Sequence, residues 1–134
     1  MTKTDAEWRA LDDRIAREIM GLHIFVPISG GREWRDNSGV SHYGVIDHGH
    51  SHSKLPRWQP HEDVAQALGV LDVVVRRGFD ADLRIRYHDP KHQAWIRPAD
   101  FCFGVCMGRH TGRANAICLA IEKWANAQKE EQDV

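Results

Sequence analysis

At 134 residues and 15.3 kDa the chain has the length of one domain with one hydrophobic core, and its 42% apolar and 28% charged residues exclude a disordered, collagen-like or coiled-coil protein. Eighteen basic and nineteen acidic side chains, for a net charge of −1, argue against sequence-blind binding to duplex nucleic acid. No apolar run approaches the roughly 20 residues of a membrane span, the opening MTKTDAEWRA lacks a signal-peptide core, and three cysteines without C-x-x-C spacing read as reduced thiols, so a soluble cytosolic protein without a membrane partner is expected.

Thr4 and Glu7 form a capping box, and Trp8, Leu11, Ile15 and Ile19 follow at helical spacing before Gly21, which predicts a first amphipathic helix over about 5–20. Residues 22–28, LHIFVPI, read as a short strand. Periodicity is then lost over about 29–60, a long Gly/His/Trp-rich insertion of the kind that is usually functional, subdivided at most by a strand near 40–46. Pro60 and the acids Glu62 and Asp63 start a second helix, with Val64, Leu68, Leu71 and Val75 as its buried face and Arg76, Arg77 and Gly78 as its stop. Leu83, Ile85 and Tyr87 alternate with Asp82, Arg84 and Arg86 in a half-exposed strand, Asp89-Pro90 turns the chain, and a partner strand surrounds Trp95. A central strand over 101–107 and a glycine-containing turn over 108–113 lead into a last helix with Ile117, Leu119, Ile121 and Trp124 buried. The order implies an α+β fold, an antiparallel sheet covered by helices in an α/β/α sandwich-like arrangement, in a single domain of residues 1–134 that carries the long insertion.

Three groups of residues carry chemistry. Gly108 to Arg113 combines two glycines with Arg109, His110, Thr111 and Arg113 at a helix start, where backbone NH groups, the helix dipole and bidentate guanidinium contacts suit a phosphate. The bland alternative is an ordinary strand-to-helix turn with Thr111 as N-cap. Trp34, Tyr43 and Trp58 lie among Arg32, Arg35, Lys54 and Arg57, the mixture of a surface that stacks on a base and pairs with phosphate, unless these rings pin the insertion to the core. His48, His50 and His52 alternate; two such residues share one face of an extended strand about 7 Å apart and can chelate a divalent metal, with Asp47, His42 or His61 as third ligand, or lie in a solvated loop. Cys102 and Cys106 sit about 13 Å apart along a strand, too far for a disulfide, and Cys118 falls in the buried last helix, so no catalytic thiol is assigned.

Ile15 to Gly21 (IAREIMG), the stretch Pro60-His61-Glu62-Asp63-Val64-Ala65 opening the central helix, and Asn115-Ala116-Ile117-Cys118-Leu119-Ala120 in the terminal helix make the chain resemble the phage ABA sandwich domain family. The resemblance spans most of the chain outside 29–60. It implies a small phage or prophage protein with a helix-covered sheet, acting in the cytoplasm of a host bacterium; it brings no activity to particular residues. On this setting and the candidate groups, the expected function is anti-defence binding. The chain captures a nucleotide-derived immune signal, a cyclic nucleotide or a cyclic ADP-ribose derivative, without a cofactor and without cleaving it, as a homo-oligomer. The anion sits on Arg109, Arg113 and backbone NH groups, with Trp34, Tyr43 or Trp58 stacked on adenine. The alternatives are a metal-dependent phosphodiesterase built on His48, His50 and His52 and a protein inhibitor of a host enzyme.

Overall fold

The computed structural model describes residues 2–28, 31–46, 54–86, 89–98 and 105–132. Among them are three helices and two three-stranded antiparallel sheets, an α+β fold. The backbone divides into two compact units, residues 1–59 and 60–134.

In the first unit, α1 (Asp5–Glu18) opens with the expected reciprocal cap: the Thr4 hydroxyl accepts the Glu7 N–H and the Glu7 carboxylate accepts the Thr4 N–H. Trp8, Leu11, Ile15 and Ile19 are buried as the periodicity predicts, and the chain leaves the helix through Gly21 at φ +69°. The strands β1 (His23–Phe25), β2 (Glu33–Arg35) and β3 (Ser41–Gly44) form an antiparallel meander. Thus β1 falls within the expected 22–28 and β3 within 40–46, whereas β2 lies where no periodicity is visible, because three residues are too few to alternate detectably. Its turn into β3 is tied by Asp36, whose Oδ1 accepts the N–H groups of Ser38 and Val40 at 2.9 and 3.0 Å and the Ser38 hydroxyl at 2.7 Å.

In the second unit, α2 (Val64–Arg76) is capped by Asp63, whose Oδ1 accepts the Gln66 N–H. Its buried residues are Ala67, Val70, Leu71 and Val74, while Leu68 and Val75 are exposed. The predicted face was therefore rotated: VAQALGVLDVVVR is apolar around most of its circumference, and several helical stripes fit it equally well. After Gly78 at φ +99°, β4 (Phe79–Arg86), β5 (Asp89–Pro98) and β6 (Cys106–His110) pair in the order β4-β5-β6, so Asp89 and Pro90, expected in a turn, begin a strand. The last helix, α3 (Arg113–Gln132), lies along β5 and β6, and α2 meets α3 and β4. Ala114, Ala116, Ile117, Cys118, Ala120, Ile121 and Trp124 of α3 are buried with Ala94 and Ile96 of β5.

Gly108 explains how close α3 comes. An added Cβ there would stand 2.9 Å from Leu119 Cβ, 2.5 Å from the Ala120 nitrogen and nearer still to the Ala116 carbonyl oxygen. A side chain at this position is incompatible with the packing of α3 on β6, so this glycine serves close approach of a helix to a strand. The predicted 108–113 turn is corrected accordingly: residues 108–110 are strand, and the turn is Thr111-Gly112. Of the predicted strand over 101–107, residues 101–104 lie outside the described residues.

Candidate functional site

Strand pairing decides which residues at the start of α3 work together. Leu83, Ala94 and Gly108 lie opposite one another across β4, β5 and β6, as do Arg84, Gln93 and Arg109. Because Gly108 faces α3 and neighbouring strand residues point to opposite faces, Arg109 projects from the face turned away from the helix.

There Arg109 has an acidic partner. Its Nε donates to Asp89 Oδ2 at 2.9 Å and its terminal nitrogen lies 2.8 Å from the same oxygen. Asp89 also accepts the Lys91 N–H at 3.0 Å and the Gln93 amide at 3.2 Å, and Gln93 in turn accepts the Trp95 indole N–H at 3.3 Å. The Lys91 N–H, then the Arg109 guanidinium, hold the Asp89 carboxyl below its ordinary range. The cradle expected from Arg109 and Arg113 acting together is therefore corrected: alternation puts Arg109 on the other sheet face, neutralised by Asp89.

The helix start itself is formed by Gly112, whose carbonyl accepts the Ala116 N–H at 3.0 Å; Gly112, rather than Thr111, occupies the N-cap position. The Gly112 N–H donates to His110 Nδ1 at 2.9 Å, which fixes the His110 ring in the tautomer that accepts through Nδ1. Thr111 and Arg113 are exposed. Among the described residues no ion pair engages Arg113.

Arg113 lines a pocket of about 170 Å³ between the first turn of α3 and the sheet. Its walls are Leu83, Arg84 and Ile85 of β4, His92 and Gln93 of β5, and Arg113 and Ala116 of α3. One wall is thus apolar and the opposite rim carries a guanidinium at the positive end of a 20-residue helix. Leu83 and Ile85 carry a sequence signal in the alternation of β4, and the register with β5 is what places His92 beside Ile85 in the pocket wall.

The aromatic group of the first unit has a different role. Trp34 and Trp58 are 1% and 3% exposed, so neither ring offers a face to a base, and their stacking role is corrected to packing. The Trp58 indole donates to the Asp12 main-chain carbonyl at 2.7 Å, Tyr43 lies 4.7 Å from the Trp58 ring, and the Arg17 guanidinium stands 5.5 Å from the Trp34 ring. Arg57 is exposed, on a segment bridged to Gly44. Arg35 lies over Phe25 at 3.3 Å. Trp34, Tyr43, Trp58 and Arg35, read from the sequence as a stacking and phosphate-pairing surface, make these contacts within the fold.

His48, His50 and His52, the candidate metal ligands, lie outside the described residues, as does Cys102. Among the described residues no group of three or more His, Cys, Asp or Glu side chains converges to hold a metal ion. Cys118 is buried in α3, and burial pushes the Cys106 thiol above its ordinary value. No described helix is long and apolar enough to cross a membrane.

No family model and no curated protein matches the sequence. A crystal structure of a phage protein from Bacillus cereus is similar to this chain, with a TM-score of 0.53 and 17% identity over 90% of this chain and 97% of the other. At that identity the likeness is one of fold.

Proposed function

We propose that this chain is a phage anti-defence protein that captures a nucleotide-derived signalling anion, of the cyclic nucleotide or cyclic ADP-ribose type, and holds it intact in the host cytoplasm. The observation that carries this reading is the position of Arg113, in the first turn of α3, on the rim of a pocket walled by Leu83, Ile85 and Ala116. Arg113 and the backbone NH groups of that turn take the phosphate. His92 stands at the wall as a further polar contact, and the apolar wall receives the planar base. Thr111, exposed beside the helix start, adds a hydroxyl. Binding then joins a small anionic group to apolar contact, the combination that selects a nucleotide over inorganic phosphate. The fold shared with a Bacillus cereus phage protein supports the phage setting.

The test separates capture from chemistry. The purified chain is incubated with cyclic ADP-ribose or a cyclic dinucleotide, freed of unbound nucleotide, heat-denatured, and the supernatant analysed by mass spectrometry. Release of the unaltered nucleotide supports capture; release of a hydrolysed product contradicts it, and so does uptake of neither probe.

A further inference from the structure

The geometry points to a second copy of this chain as the partner of β4, joined edge to edge in an antiparallel pairing that continues the β4-β5-β6 sheet across a two-fold axis. Among the described residues, β4 pairs with β5 on one side and with no strand on the other. Such an edge presents backbone donors and acceptors to a further strand. It also presents apolar surface: Leu83 is 42% and Ile85 65% exposed on the face of the sheet that carries α3.

The alternation of β4 fits its own reverse. Pairing about a two-fold axis keeps the apolar faces together only in registers where each residue opposes one of the same parity. Centred on Leu83, such a register sets Leu83 against Leu83, Ala81 against Ile85 and Asp82 against Arg84 of the other copy. Apolar groups then meet on one face and opposite charges on the other. Centring on Asp82 or on Arg84 opposes each to its own like charge, and centring on Ala81 opposes Asp80 to Asp82. The Leu83 register alone among these satisfies both faces. Asp82 keeps capacity for a new partner, because its contacts with Arg84 and Arg97 of its own chain are long, at 3.8 and 3.7 Å. The pairing is isologous, so it closes as a dimer.

Leu83 and Ile85 also wall the pocket, so the test is one that needs no ligand: the mass of the unliganded full chain by light scattering. Wild type is expected at twice the 15.3 kDa chain mass. Leu83→Lys, which opposes two ammonium groups at the axis, and Asp82→Arg, which opposes two guanidinium groups, are each expected at the monomer mass. The double exchange Asp82→Arg with Arg84→Asp restores opposite charges in the same register and is expected to restore the dimer, which distinguishes lost pairing from lost folding. A monomeric wild type, a dimer that survives both single substitutions, or a double exchange that stays monomeric overturns the proposal.

Discussion

Arg109 holds Asp89 through two contacts to one carboxylate oxygen, at 2.9 and 2.8 Å, across the β5–β6 pairing. This pair ties the start of β5 to the end of β6 on the sheet face opposite α3. It leaves the two arginines of the strand-to-helix segment in different places: Arg109 pairs with Asp89 on one sheet face, and Arg113 lines the pocket beside α3.

Arg109→Ala should therefore move the titration of Asp89 upward, followed by carboxyl chemical shifts in NMR. The shift is toward the ordinary value without reaching it, because the Lys91 N–H, the larger cause of the lowering, is retained. In wild type the depressed Asp89 contributes stability at pH values above the ordinary carboxylate pKa, and that contribution is lost as pH falls through the lowered one. An Asp89 titration unchanged in the variant contradicts the pairing.

Gly108→Ala places a methyl group against the backbone of α3 at Ala116 and Ala120. Neither main-chain atom can rotate away, so the helix must shift on the strand. The expected loss is about 3 kcal/mol, measured as a lower urea midpoint with the slope retained. A neutral substitution is incompatible with the packing described.

Trp58→Phe keeps a ring beside Tyr43 but removes the indole N–H that donates to the Asp12 carbonyl at 2.7 Å. A destabilisation of about 1–2 kcal/mol is expected in thermal or urea unfolding. Nucleotide binding is expected to be unaffected, since the ring is packed rather than offered to a ligand.

Asp36 links the β2–β3 turn to acid stability. The Ser38 hydroxyl, His42 and the Val40 N–H, in that order, stabilise its carboxylate and hold its pKa far below the usual range. Its contribution is complete above the unfolded-state value of about 3.9 and is lost as pH falls toward the lowered folded value. Asp36→Asn should thus be less stable than wild type near neutrality, with the difference narrowing below about pH 4. Urea midpoints across the acid range measure it; a constant difference contradicts the assignment.

Much of the architecture was legible because it rests on local chemistry. The Thr4–Glu7 box, the Trp8 to Ile19 stripe and the Gly78 stop need only neighbouring residues. What was hidden depends on pairing and packing. Gly108 resembled a turn residue because a sequence does not show that a helix passes over it. Arg109 and Arg113 looked equivalent, four positions apart, until strand alternation separated them. Trp34 and Trp58 looked costly in a loop, and the cost is offset by burial rather than by a ligand. The pocket wall joins β4, β5 and α3, a conjunction that periodicity within any one element does not reveal.

The most direct test of the ligand reading is titration calorimetry of wild type, Arg113→Ala and Arg109→Ala with cyclic ADP-ribose and with a cyclic dinucleotide. One of these probes is expected to bind wild type, Arg113→Ala to weaken that binding about tenfold or more, the cost of one exposed charge-assisted phosphate contact, and Arg109→Ala to leave the affinity unchanged. Equal affinity in wild type and Arg113→Ala, or binding of neither probe by wild type, would contradict the ligand reading.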